Sequence, residues 1–144
     1  MQRKSGIPLH FTIDQEGNGS DDMLCGQRLF PNPMGFTASG DPTLAYRVAV
    51  SIGKQVRALG ANMIHSPVLD VNTNPQNPEI GTRSYSDRPE EVIRFASKSL
   101  CGFKETGLIA TGKHFPGRGE SISDAHWGLP TVALDRDTSE RIHI

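Results

Sequence analysis

The stretch LIATGKHFPGRGESISDAH, residues Leu108 to His126, decides how the rest of the chain is read. An apolar run, Leu108-Ile109-Ala110-Thr111, stops at Gly112-Lys113-His114, and a loop rich in Gly and Pro then carries Arg118, Glu120, Asp124 and His126. That is the pattern of a buried strand delivering a loop loaded with polar groups. In open α/β sheets and α/β barrels, ligands meet side chains at the strands' carboxyl ends, so cations, carboxylates and imidazoles massed there point to an active site. Asp124 and His126 form the sharpest pair. Side chains two residues apart in a loop can turn toward each other, and the carboxylate can then fix the imidazole's tautomer for proton transfer. Taken alone, an Asp-x-His pair is ordinarily a solvated turn, so the surrounding sequence must carry the assignment.

Working outward, the same alternation recurs. Leu9 to Ile13 is a short β-favouring run with Asp14 at its carboxyl tip, and the polar, Gly-rich and Pro-broken segment from Asn18 to Gly40 reads as a long loop. Asp41 can cap a helix with Pro42 in its first turn. Leu44, Ala45, Val48, Ala49, Ile52, Val56 and Leu59 give that helix one apolar stripe, and Gly60 closes it. Asn62 to Val71 is the second strand, although Pro67 forbids a full ladder and predicts an irregular exit near Asp70. A second helix is expected from Asp87 or Arg88, with Val92, Ile93, Ala96, Leu100 and Phe103 as its buried stripe and Gly107 at its end. Leu108 to Gly112 is the third strand, and Asp135 to Arg141 begins another helix.

The order β-α-β-α-β, with long loops after strands and short turns after helices, predicts an α/β fold of parallel strands joined by right-handed crossovers. Asp14, Asp70, Arg83, Lys113 and His114 would then converge on one rim. A chain of 144 residues with 35% hydrophobic and 22% charged residues suits one globular unit, taken as a single segment over residues 1–144. The net charge of −1, with basic residues scattered, gives no footprint for nucleic acid or an anionic membrane. Cys25 and Cys101 have no metal-site spacing and read as two free thiols. No apolar run approaches a membrane span, and the N-terminal Met-Gln-Arg-Lys-Ser-Gly lacks a signal-peptide core, so a soluble chain is expected, with the cytoplasm favoured.

Four pieces of sequence together are similar to glycoside hydrolase family 3, in particular its β-N-acetylhexosaminidase branch. They are IDQEG at Ile13 to Gly17, SPVLDVNTNPQNPEIGTRSYS at Ser66 to Ser86, KHFPGRG at Lys113 to Gly119, and the Asp124-x-His126 dyad. The resemblance implies a (β/α)8 barrel, of which this chain would hold about three strands, with the remainder of the barrel in a longer parent chain. It implies a saccharide substrate, no metal or other cofactor, and removal of a terminal β-linked N-acetylhexosamine with retention. Asp14, Arg83, Lys113 and His114 would contact the sugar, while His126 would serve as general acid/base with Asp124 orienting it. The residue types suit the task, because sugar hydroxyls need acceptor carboxylates beside fixed donors and one group that exchanges protons near neutral pH. Each also has a plain alternative: Asp14 as a turn residue, Arg83 as a loop-anchoring ion pair, Lys113 as a salt-bridge partner on the rim. Arg118 stands where the family commonly has histidine, which keeps a donor but fixes the positive charge. Asn18 stands where a second glycine is usual, and an arginine common shortly afterwards is missing. The family's nucleophilic aspartate would fall beyond Ile144. A β-glucosidase-like member and a catalytically inactive sugar-binding fragment are the alternatives.

Overall fold

The computed structural model describes residues 2–18 and 28–144. Cys25, read as a free thiol, lies outside the described residues; Cys101 is free and exposed. Three short strands, β1 (Thr12–Ile13), β2 (Met63–Ile64) and β3 (Ile109–Ala110), form a parallel sheet in the order β1-β2-β3. Thr12 pairs with Met63 and Met63 with Ile109, so the strands are in step and their carboxyl ends share one rim. Two helices, α2 (Pro42–Ala58) and α3 (Pro89–Glu105), cross between them, with α1 (Pro33–Ala38) before and α4 (Arg136–His143) after. The architecture is thus the α/β alternation read from sequence.

The helices begin and end for local reasons. The Asp41 carboxylate accepts from the Thr43 amide at 2.9 Å and Pro42 occupies the first turn of α2. At α3 the cap residue is Arg88, whose side chain makes no cap; the Ser86 hydroxyl accepts its amide at 3.2 Å, and Glu90 and Glu91 place negative charge against the helix's positive end. Both helices terminate ahead of a glycine at positive φ, Gly60 at 91° and Gly107 at 74°. Asp135 caps α4 by accepting from the Thr138 amide at 2.9 Å.

The core lies between the sheet and α2 and α3. Ile13 and Ile64 from the strands pack in one cluster with Val48, Ile52 and Val56 of α2 and with Val92, Phe95 and Phe103 of α3. The helices approach closely where Gly102 faces α2. A Cβ there would stand 2.6 Å from the Tyr46 carbonyl oxygen and 2.8 Å from the Ala49 Cβ, so the position requires glycine. No helix among the described residues is long and apolar enough to cross a membrane.

Several expectations need correction. The strands are shorter than the apolar runs that contain them, and the second ladder breaks at Pro67, resuming as one isolated bridge between Val68 and Lys113. The Asn18 to Gly40 segment is not all loop, since Pro33 opens the six-residue α1. The buried face of α3 is rotated from the stripe read in sequence. Ile93 is exposed and Leu100 is on the boundary, while Phe95, Ser99 and Gly102 are buried. Ser99 can be buried because its hydroxyl meets the Tyr85 hydroxyl at 2.7 Å. Leu59 at the end of α2 is likewise exposed.

Candidate active site

The rim beyond the strands carries two charge networks joined by one carboxylate. In the first, Asp14 and Glu16 leave β1 on the same side of an extended segment, and Lys113 reaches back from the end of β3. The Lys113 ammonium pairs with Asp14 and lies 2.6 Å from Glu16 Oε1. Arg83, at the end of a short 3-10 turn (Gly81–Arg83), donates through Nε and Nη2 to the two oxygens of Glu16, each at 2.8 Å. This is the planar two-point pairing for which guanidinium is shaped. Burial pushes the Glu16 carboxyl up, but the hydrogen bonds from Arg83 and Lys113 outweigh it and hold Glu16 below the usual glutamate range. Arg83 is raised in turn, chiefly by its bond to Glu16.

The second network is built on Asp70, whose side chain is fully buried at the exit of the second strand segment. Its Oδ2 accepts from the His114 amide at 3.1 Å and faces His114 Nδ1 at 2.6 Å, and its Oδ1 accepts from the Arg118 amide at 2.6 Å. Burial again pushes this carboxyl up, and the bonds from His114 and Arg118 bring it below the ordinary aspartate value. An ionised carboxylate only accepts, so His114 Nδ1 carries the proton and Nε2 is the free ring nitrogen. Asp70 therefore clips the Lys113 to Arg118 segment at two points. Gly119 then passes so near β2's exit that a Cβ would meet the Val71 carbonyl oxygen at 1.8 Å, which leaves room for glycine only.

Glu79 links the networks. Its side chain is buried, its Oε1 lies 2.8 Å from Arg118 Nη1 and 4.0 Å from Arg83 Nη1, and its Oε2 accepts from the Ala125 amide at 3.2 Å. That last bond holds the middle residue of the dyad. Asp124 Oδ1 accepts from the His126 amide at 2.8 Å and stands 2.6 Å from His126 Nδ1, with the imidazole largely exposed. The two bonds from His126, the amide first and the ring second, hold the Asp124 carboxyl below its ordinary value. By the same logic as at His114, Nδ1 is the protonated donor and His126 presents Nε2 outward. Glu79, Asp124 and His126 offer ligand atoms within 4.8 Å of one another, a spacing a cation could use. Arg118 already places positive charge against Glu79 there.

All six site residues named from sequence thus lie on this rim. Asp14, Arg83 and Lys113 meet through Glu16, His114 sits on Asp70, and Asp124 and His126 pair beside Glu79. Arg83 and Lys113 make the ion pairs anticipated as their plain alternative. Glu16 and Glu79 were missed as partners. The alternation in Ile13-Asp14-Gln15-Glu16, with Ile13 and Gln15 buried, is the signal that places Glu16 on the face of Asp14. Glu79 gave no such signal, because its loop has no periodicity. A hollow of ≈ 520 Å³ beside α2, lined by Phe30, Leu44, Tyr46, Val50 and Glu105, holds one pair of proton-transfer groups, the Tyr46 hydroxyl on Glu105, and no histidine among the described residues.

The chain is similar to known proteins over nearly all of its length. The chain is 40% identical over 142 residues to β-hexosaminidase A of Pseudoalteromonas piscicida, matching 95% of this chain and 24% of that protein. It is 31% identical over 126 residues to a β-N-acetylglucosaminidase/β-glucosidase of Cellulomonas fimi, matching 88% of this chain and 22% of the relative. The solved glycoside hydrolase family 3 β-N-acetylglucosaminidase of Paenibacillus sp. str. FPU-7 superposes with a TM-score of 0.89 at 44% identity, over 95% of this chain and 26% of that one. The chain spans about a quarter of the length of these relatives. Structural neighbours of this kind are TIM-barrel domains, which gives the three parallel strands their setting. The model of the glycosyl hydrolase family 3 N terminal domain matches residues 1–143, and the chain belongs to that family.

Proposed function

We propose that this rim serves the hydrolysis of a terminal β-linked N-acetylhexosamine, with His126 as general acid and then general base. The carrying observation is the dyad: Nδ1 is committed to Asp124 at 2.6 Å, so a proton on the outward Nε2 is the one available to a substrate. Nε2–H would protonate the departing glycosidic oxygen, and neutral Nε2 would then take a proton from the attacking water. Asp14, Arg83, Lys113 and His114 would engage the sugar. Asp14 keeps a half-exposed carboxylate to accept hydroxyl protons, Arg83 and Lys113 are donors held by Glu16, and His114 offers Nε2. A retaining course also needs a carboxylate nucleophile to capture the anomeric carbon from the face opposite the leaving group, about 5 Å from the acid group. Glu16, Asp70, Glu79 and Asp124 are each bound to cations or amides on this rim, so we assign that role to none of them. The names of the relatives support the substrate class.

The β-glucosidase reading stays beside it because the Cellulomonas fimi relative is named for both activities. Turnover of an aryl β-N-acetylglucosaminide above that of the aryl β-glucoside supports the proposal, and the reverse order supports the glucosidase. Saturable sugar binding by calorimetry without turnover supports a catalytically inactive sugar-binding chain. Neither turnover nor binding refutes the saccharide reading altogether.

A further inference from the structure

Trp127 is 90% exposed, and it directly follows His126. Exposing the largest aromatic side chain leaves on the order of 200 Å² of amphipathic surface beside the dyad's imidazole. The position is built, since the Trp127 amide donates to the Asp124 carbonyl at 3.1 Å and closes a four-residue turn around the dyad. Ile122 at 82% and Leu129 at 93% exposure continue the apolar character on both sides. The groups proposed to hold the terminal sugar, Asp14, Arg83, Lys113 and His114, are gathered on Glu16 and Asp70, and among the described residues none is bonded to Trp127.

We propose that Trp127 is the platform for the saccharide unit on the leaving-group side of the scissile bond, stacking its indole on the apolar C–H face of that sugar ring. This rests on the reading of His126 as the acid. A group that protonates the departing oxygen stands at the junction between the terminal sugar and its neighbour. The residue one step along, about 3.8 Å away in the backbone, is within reach of that neighbour. A β-linked pyranose with equatorial substituents presents a flat face of C–H bonds, which matches an aromatic surface while its hydroxyls point outward to water. Trp127 is therefore a binding residue that selects a sugar as leaving group over a small alcohol.

The sequence has a single tryptophan, so its emission reports this residue alone. The probes are N-acetylglucosamine and its β-linked trimer, titrated into the chain by fluorescence and by calorimetry. The trimer is expected to shift the emission to the blue saturably, at concentrations where the monosaccharide leaves it unchanged. Covering one indole face removes roughly 60 to 100 Å² from water, which corresponds to about a tenfold to fiftyfold change in affinity. Trp127→Ala should weaken trimer binding by that factor and leave monosaccharide binding alone, and Trp127→Phe should restore most of it. Trimer binding with unchanged emission and an unaffected Trp127→Ala variant overturns the Trp127 assignment while the glycosidase reading stands. Equal weakening for monosaccharide and trimer marks a structural role and also overturns it. Heat from neither sugar removes the saccharide reading, and the Trp127 assignment with it.

Discussion

Asp70 is the carboxylate on which the loop's position turns, and Asp70→Ala is its test. The side chain accepts three hydrogen bonds, from the His114 amide, the His114 ring and the Arg118 amide, at 3.1, 2.6 and 2.6 Å. Removing it strands two part-buried amides, each costing about 1–3 kcal/mol when left without a partner. The ring nitrogen costs less, because the partly exposed His114 can turn to water, and the relief of burying one charge offsets some of the total. The net expectation is a loss of about 2–5 kcal/mol, a large share of the roughly 5–15 kcal/mol that holds a domain together. Asp70→Asn keeps one acceptor but turns an NH2 toward a donor, so it should lose about 1–3 kcal/mol. Urea unfolding measures the global loss, and hydrogen exchange at the His114 and Arg118 amides locates it. A loss below about 0.5 kcal/mol, the range of an ordinary surface change, with amide protection unaltered, would refute the reasoning.

Acid should act through the same carboxylates. Glu16 and Asp70 are held below their ordinary values of 4.5 and 3.8, so their contribution is complete above those values and disappears as pH falls through the lowered ones. Urea midpoints from pH 7 to pH 3 should fall more steeply for the wild type than for Glu16→Gln, and parallel curves would contradict the assignment. Gly119→Ala must move the loop away from Val71, costing about 1–3 kcal/mol by overpacking, and a midpoint within error of wild type would show that the close approach is relieved without strain. If the proposed chemistry holds, His126→Ala should slow hydrolysis by roughly 10² to 10⁴ for poor leaving groups and far less for dinitrophenyl glycosides. Arg83→Ala should instead raise KM alike for every leaving group, and a leaving-group dependence there would move Arg83 out of the sugar contact.

What could be read in advance depended on whether a single local interaction decided the matter. Helix ends were legible because Asp41, Pro42, Pro89, Gly60 and Gly107 act within one turn of chain. Parallel order followed from the alternation, and a common rim for Asp14, Arg83 and Lys113 followed from parallel order. The buried face of α3 was misread because it depends on a partner. Ser99 looks like a surface residue until Tyr85, fourteen positions earlier, supplies its hydrogen bond, whereas Ile93 and Leu100 look buried until the face carrying Gly102 is the one set against α2. The short α1 was hidden by Gly35 and by the prolines around it, which weaken every helical signal except the first-turn position of Pro33. Glu79 was invisible for a stronger reason. Its i,i+4 neighbour Arg83 stands only at 4.0 Å, and its closer partners, Arg118 and the Ala125 amide, are 39 and 46 residues away, where no spacing rule connects them.

That missed residue bears most directly on how the site works. The donors proposed to meet the sugar are fixed from several directions, Arg83 by Glu16 and Glu79, and Lys113 by Asp14 and Glu16. The dyad is organised differently. Its internal geometry is local, set by two bonds between Asp124 and His126, and the imidazole itself is largely exposed. A local pair fixes the tautomer of the proposed acid but says nothing about where that group would stand relative to a sugar, and proton transfer depends on both. Among the described residues, the Ala125 amide on Glu79 Oε2 ties the dyad's own backbone to the rim, and Glu79 is in turn held by Arg118, whose amide is held by Asp70. Position therefore runs from a buried carboxylate at the strand exit, through Arg118 and Glu79, to the turn that carries the imidazole. Tautomer and placement are controlled by different acids, Asp124 for the first and Glu79 for the second, so changes at the two should not be equivalent even though both lie within one side chain's reach of His126.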